Sequence, residues 1–158
     1  MVVTLSVTLV LVILCVILHY EAVRVMRRLG GWLHRNYARH RLHFSMLAFG
    51  LLVAHVLEVL LFGVAYFWLV GGMGYGAIVD SQGSDFAEYT YFSLANYTSL
   101  GYGDLVPSGP LRFMAGMEAL TGLVLIGWTA AFMYLEMRRI WERENDHDPS
   151  GRDTPSLS

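Results

Sequence analysis

Residues 98–104 read TSLGYGD, with two glycines flanking a tyrosine and a carboxylate directly after them. Glycine adopts backbone angles that are forbidden to other residues, so a glycine-bearing loop can turn successive carbonyls toward one axis. Rings of carbonyl oxygens can replace the hydration shell of an alkali cation. Because these ligands carry no net charge, the cation can leave as well as enter. The spacing therefore indicates a site at which backbone carbonyls bind an alkali cation.

An aromatic, amphipathic segment at 85–98 (DFAEYTYFSLANYT) leads into this loop. Asp85 can cap a helix, and Glu88 follows three residues later, which is the spacing of a capping box. We therefore predict a short helix that runs directly into the glycine stretch. Irregular backbone is tolerated at membrane depth only where it lines a polar path. The helix and the loop together predict a re-entrant segment.

The elements that must position this loop are strongly apolar. The chain has 158 residues, enough for one modest domain; 55% are hydrophobic and 15% charged, and the mean hydropathy is +0.46. Three apolar spans stand out, at 1–19, 44–70 and 111–135. The first would be about 28 Å long as a helix, the thickness of a bilayer core. It lacks the basic start and small-residue cleavage site of a signal peptide, so we expect a retained transmembrane helix.

Charge placement predicts the orientation of the three spans. All eleven basic residues are arginine; six lie in the linker at 20–43, and most of the others follow residue 135. The loop at 71–110 carries four acidic residues and no arginine. Arginine-rich short segments stay in the cytoplasm. We therefore expect the linker and the C-terminus to be cytoplasmic, and the loop and the N-terminus to lie outside the cell membrane.

The loop in this context resembles a known signature. TSLGYGD is similar to the sequence Thr-Thr-Val-Gly-Tyr-Gly-Asp of potassium channels, whose filters carry a TVGYG loop. Aromatic residues Tyr91 and Phe92 precede it, and a helix with a mid-span glycine follows it. Over residues 44–137 the order of outer helix, pore helix, filter and inner helix resembles the prokaryotic two-transmembrane potassium channel family. The helix at 1–19 is an addition to that plan.

The resemblance implies an all-α membrane protein with the tetrameric potassium-channel pore fold and a peripheral N-terminal transmembrane helix. It implies a homotetramer that conducts K⁺ passively, without catalysis, a cofactor or a nucleic-acid partner. The domains would be 1–19, the linker 20–43, the pore domain 44–137 and a polar tail 138–158, disordered from residue 141. The site residues would be the filter Ser99, Leu100, Gly101, Tyr102 and Gly103, with K⁺ bound at the first four; Thr98 and Asp104 as filter support; and Gly122 as gating hinge or packing site.

Three departures from the family pattern keep alternatives open. Ser99 replaces a threonine whose hydroxyl lines the innermost site in the family, and Leu100 replaces valine. Ala95 stands where many relatives carry a glutamate. A weakly selective cation channel on the same fold is therefore the first alternative. A non-conducting membrane scaffold or sensor, a transporter subunit and an enzyme fit the sequence less well, since the Gly-Tyr-Gly-Asp sequence is intact and no nucleophile constellation is present.

Three ionisable residues, His55, Glu58 and Glu118, lie away from the ends of the apolar spans, where such groups are costly and often functional. His55 and Glu58 are three residues apart and share a helix face, so they can form a polar pair. Glu118 lies at the depth of the filter. We expect it to support the filter by contacting the pore-helix region 94–98, with Asn96 or Tyr97 as partner. The alternative is polar packing between helices.

The arginines of the linker have two interpretations. Arg24 and Arg28 are four residues apart, as are Arg35 and Arg39, which suits an interfacial helix interrupted at Gly30–Gly31. They either set the topology alone or bind anionic membrane lipids. A voltage sensor is disfavoured because its arginines would lie inside a span.

Overall fold

The computed structural model describes residues 1–36, 40–79 and 85–146. These residues form helices α1 (Val2–Asn36), α2 (His40–Phe67), α3 (Phe86–Tyr97) and α4 (Leu111–Asp146). A π-helical turn, Trp68–Gly72, extends α2. Two short strands, β1 (Ile78–Val79) and β2 (Val106–Pro107), pair in antiparallel register, with Ile78 opposite Pro107 and Val79 opposite Val106.

Three helical stretches are long and apolar enough to cross a membrane, namely Val2–Leu29, Phe44–Gly72 and Leu111–Arg139. They contain the three apolar spans of the sequence, so the predicted all-α membrane fold with an additional N-terminal helix is confirmed. The short ladder between β1 and β2 was not predicted. It joins the two arms of the loop between α2 and α4, and Ser108 N–H donates to Ala77 O at 2.8 Å beside it.

Two helices extend further than expected. α1 does not end at residue 19 but continues through Gly30–Gly31 to Asn36, so the predicted interruption is wrong. Each glycine costs only about 1 kcal/mol relative to alanine inside a helix, which the helix on either side tolerates. α4 likewise continues through Trp141 to Asp146, where a disordered tail was expected. Residues 147–158 of that tail lie outside the described part of the chain.

The N-terminal helix packs on both neighbours. Its Leu11 and Cys15 are buried in the main apolar core together with Phe62 of α2 and Met114 of α4. The additional N-terminal helix therefore packs against α4 as well as α2. Its other face exposes aliphatic side chains, Leu9 among them, as a lipid-facing surface requires.

Helix α3 is short and is held between α2 and α4. It begins as the sequence predicts, since the Asp85 side chain accepts a hydrogen bond from Ala87 N–H at 3.4 Å. Phe92, Ser93 and Tyr97 are buried along its inner face. The helix therefore enters the bundle and leads into the glycine stretch at its C-terminal end, in the manner of a re-entrant segment.

Candidate functional site

In the glycine stretch, residues 99–103, every second residue has a left-handed backbone conformation. Ser99, Gly101 and Gly103 have positive φ angles of 57°, 54° and 80°, and Ser99 is the non-glycine residue with this property in the described chain. Leu100 and Tyr102, between them, do not share it. When every second residue is left-handed, successive peptide groups align, with their N–H groups on one side and their carbonyls on the other. The stretch thus has the backbone pattern of a carbonyl-lined path.

The inner end of this stretch is fixed to the C-terminus of α3 by backbone hydrogen bonds. Ser99 N–H donates to Asn96 O at 2.8 Å. The carbonyl of Ala95 accepts from Leu100 N–H at 3.0 Å and from Gly101 N–H at 3.2 Å. These bonds use the carbonyls that a helix end leaves without partners. They also hold Ser99 in a left-handed conformation that costs a non-glycine residue about 1–2 kcal/mol.

The two predicted support residues act at opposite ends. Thr98 Oγ1 donates to Leu94 O at 2.8 Å, so this hydroxyl closes the last turn of its own helix. Asp104 is the acceptor at the outer end, where the Tyr91 hydroxyl donates to its Oδ2 at 2.8 Å. This hydrogen bond raises the pKa of Tyr91. The glycine stretch is therefore tied to α3 at both ends.

The side of the stretch away from α3 is open within one chain. Leu100 and Tyr102 are 57% and 68% exposed. A Cβ added at Gly101 or Gly103 would meet no atom within 4 Å. One chain therefore supplies one wall of a site.

The inner helix packs directly on the end of α3. A Cβ at Gly122 would overlap the carbonyl oxygen of Tyr97 and lie 3.0 Å from its Cγ. At Gly127, one and a half turns further, a Cβ would meet nothing within 4 Å. Gly122 is thus a site of close packing between α4 and the end of α3, and the hinge role remains a prediction.

Glu118 is fully buried between three helices. The Tyr66 hydroxyl on α2 donates to its Oε2 at 2.7 Å, and Ser93 Oγ on α3 lies 2.5 Å from its Oε1. The predicted contact with the pore helix therefore exists, but at Ser93, one residue before the predicted region 94–98. The prediction of Asn96 or Tyr97 as partner is wrong. Both residues share a helix face with Ser93 but lie one turn, about 5 Å, further along α3. Asn96 donates to Phe92 O and Tyr97 donates to Glu58 instead.

The contacts of Ser93 show how Glu118 is held. Ser93 Oγ also lies 2.8 Å from the carbonyl oxygen of Val59, and a hydroxyl has one proton to donate. All contacts are satisfied together when Ser93 donates to Val59 and a protonated Glu118 donates to Ser93. The carboxyl group then forms a neutral bridge between α4, α3 and α2.

His55 and Glu58 form the predicted polar pair, within a larger cluster. Glu58 Oε2 lies 3.1 Å from His55 Nδ1 and accepts from the Tyr97 hydroxyl. Its Oε1 lies 3.1 Å from His19 Nδ1 on α1. Thr129 Oγ1 on α4 lies 2.9 Å from His55 Nε2. Sequence spacing could not reveal His19, Tyr97 or Thr129, because each belongs to a different helix.

The predicted lipid-binding arginines are only partly described. Arg24 and Arg28 line a groove between α1 and α4, and Arg24 also pairs with Glu21 at 2.9 Å. Arg39 and the side chain of Arg35 lie outside the described part of the chain.

Comparison with known families identifies the class of protein. The model of the Ion channel family matches residues 54–138, more than half of the chain. The chain therefore belongs to this family, and it is a multi-pass membrane protein. The match runs from α2 to α4 and leaves α1 outside. No curated protein and no solved structure gives a significant match.

The bridge at Glu118 predicts different outcomes for two substitutions. Glu118→Ala leaves Tyr66 and Ser93 without their partner, at roughly 1–3 kcal/mol per subunit. Glu118→Gln keeps an oxygen for Tyr66 and a donor for Ser93, so it should be close to wild type. The thermal unfolding midpoint of the purified protein measures both. Equal midpoints for wild type and Glu118→Ala would show that the bridge does not stabilise the fold.

Proposed function

We propose that this chain is the subunit of a potassium-selective channel that conducts K⁺ passively through residues 99–103. The observation that carries the proposal is the alternation of positive φ at Ser99, Gly101 and Gly103. The two glycines adopt it without strain, and it aligns the carbonyls that would coordinate K⁺. The K⁺ positions would lie at Ser99, Leu100, Gly101 and Tyr102.

A complete coordination shell requires several copies of the chain. The open side of the stretch, with Leu100 and Tyr102 exposed, supports assembly around a common axis. We propose a homotetramer in which each subunit contributes one wall through repeated head-to-tail contacts. In this arrangement the C-terminal end of α3, with the negative end of its helix dipole, would favour a cation at the inner end of the filter.

Two alternative functions have less support than a potassium-selective channel. Ser99 in place of threonine favours the weakly selective cation channel, because the innermost site would have a less constrained hydroxyl. A non-conducting scaffold or sensor would have no need for a strained, doubly anchored segment at residues 98–104. Catalysis has no support in the site, since its chemistry rests on backbone carbonyls.

The orientation follows from the positions of the arginines. Arg24 and Arg28 of α1 lie beside Arg139 of α4, whereas the start of α1 lies beside Gly109 and Arg112 at the start of α4. The arginine cluster and the 71–110 loop are thus at opposite ends of the bundle. By the positive-inside rule we propose an extracellular N-terminus and filter mouth and a cytoplasmic C-terminus in the cell membrane.

Ion flux in liposomes tests the selectivity directly. Reconstituted wild-type protein should carry K⁺ down its gradient and exclude Na⁺. Gly101→Ala should abolish selective flux, because alanine at positive φ costs about 1–2 kcal/mol in each subunit. Gly74→Ala is the matched control, since Gly74 also has positive φ (65°) and open space around it but lies outside the filter. Equal K⁺ and Na⁺ permeability in wild type would establish the weakly selective alternative instead.

We also propose that anionic lipid binds at the cytoplasmic end. The groove between α1 and α4 has a volume of about 700 Å³ and is lined by four arginines and one glutamate, Glu136. The arginines are Arg24, Arg27, Arg28 and Arg139. Their excess positive charge next to apolar Phe132 and Leu135 suits a phospholipid with an anionic headgroup, whose chains would lie along the helices.

Native mass spectrometry reports the assembly and its lipid together. The wild-type protein should have about four times the subunit mass of 17.8 kDa and should retain added phosphatidylglycerol. Arg24→Gln with Arg28→Gln should weaken retention about thirtyfold, from roughly 1 kcal/mol per arginine. Arg112→Gln, at the opposite end, is the control. A dimer would contradict the assembly, and equal lipid retention in all three proteins would contradict the lipid site.

A further inference from the structure

A cluster of metal-ligating groups lies in the bundle beside the end of α3. His19 and Glu58 are fully buried and His55 is 15% exposed. The two imidazoles direct their Nδ1 atoms to the same carboxylate, each at 3.1 Å. One ligand atom from each of the three residues lies within 4.8 Å of the other two. They come from α1 and α2, so the convergence is a property of the folded chain.

The spacing fits a transition-metal ion. Zinc bonds to nitrogen and oxygen are about 2.0–2.1 Å long, which places neighbouring ligands of a tetrahedral site roughly 3.3 Å apart. Each imidazole Nδ1 lies 3.1 Å from Glu58, close to that separation, with His19 at Oε1 and His55 at Oε2, so both carboxylate oxygens face the site. The Tyr97 hydroxyl also lies next to the cluster, 2.8 Å from His55 Nδ1. Two imidazoles and one carboxylate are a ligand set that zinc sites use.

The groups around the cluster fit the same ion. His55 Nε2 and His19 Nε2 both approach one hydroxyl, Thr129 Oγ1, at 2.9 Å and 3.3 Å. An imidazole that binds a metal through Nδ1 carries its proton on Nε2 and donates it to a neighbouring acceptor. A hydroxyl oxygen has two lone pairs, so Thr129 can accept from both rings.

Without a metal, protons alone can hold the same contacts. If both Nδ1 atoms donate to Glu58, both neutral rings present Nε2 as an acceptor to Thr129, whose hydroxyl has one proton, so one ring must be doubly protonated. If the Tyr97 hydroxyl donates to His55 Nδ1 instead, His55 donates from Nε2 to Thr129, Thr129 donates to His19, and both rings are neutral. A proton-bridged cluster is therefore the competing explanation for this geometry, and metal content distinguishes the two.

We propose that His19, His55 and Glu58 form a binding site for a divalent transition-metal ion, with Zn²⁺ as the probe. On binding, each neutral imidazole carries its one proton on Nε2 instead of Nδ1, and any additional proton held by the apo cluster passes to solvent. Tyr97 directly precedes Thr98 and the glycine stretch. The ion would therefore fasten α1 and α2 beside the end of the pore helix. This proposal is independent of the proposed K⁺ conduction, because metal binding to the purified protein is measured without ion flux.

Zinc content of the purified full-length protein tests the site. A chelator first removes bound metal from the protein in detergent. The protein is then titrated with Zn²⁺ and desalted, and its zinc content is measured by inductively coupled plasma mass spectrometry. Wild type should retain about one zinc ion per subunit, with imidazole nitrogens at about 2.0–2.1 Å in its X-ray absorption spectrum. His19→Gln and Glu58→Gln should each lower the affinity for Zn²⁺ by a factor of about 10–100.

The matched control is Glu118→Gln, which makes the same Glu-to-Gln replacement at another fully buried carboxyl group outside the cluster and should retain zinc as wild type does. Circular dichroism establishes that each variant is folded. For a folded His19→Gln variant, added zinc should no longer raise the thermal unfolding midpoint, as binding to the native state does in wild type. The proposal is overturned if wild type binds no zinc, or if His19→Gln and Glu58→Gln bind it as tightly as wild type.

Discussion

The contact between Tyr97 and Gly122 positions the C-terminal end of α3, from which the glycine stretch continues. The carbonyl of Tyr97 occupies the space that a side chain at position 122 would fill. Two residues later the backbone enters the alternating stretch that begins at Ser99. A short helix with one end free would leave that stretch without a defined position. The inner helix therefore determines where the carbonyls of the glycine stretch lie relative to the rest of the bundle.

Two buried polar groups support this contact by giving α3 a defined rotation. Ser93 binds Glu118, and Tyr97, four residues further, binds Glu58. Apolar packing alone allows a helix to slide or rotate at small cost, whereas a buried polar group that loses its partner costs several kcal/mol. In lipid no water replaces the missing partner. Both carboxyl groups thus make the orientation of α3 specific, and His19 extends the second of them to α1.

Local features were predictable from sequence and pairings between helices were not. Apolar runs predicted the three spans, Asp85 predicted the start of α3, and the glycines of TSLGYGD marked a segment that has positive φ angles. Glu118 was placed beside α3, yet its partner was missed: Ser93 and Asn96 share a face of α3, and sequence spacing does not determine which turn of α3 lies level with Glu118. Likewise, His19 lies at the end of an apolar run, and its partner Glu58 is 39 residues away. Nothing in local periodicity determines which helices become neighbours.

The most direct test compares alanine at two glycines of the same helix. Gly122→Ala must displace the end of α3, because the new methyl group overlaps the Tyr97 carbonyl, whereas Gly127→Ala has open space. Both changes raise helix propensity equally. The K⁺ to Na⁺ permeability ratio in reconstituted bilayers should collapse in folded Gly122→Ala protein and stay at the wild-type value in Gly127→Ala. An unchanged ratio in Gly122→Ala would contradict the claim that this contact positions the filter.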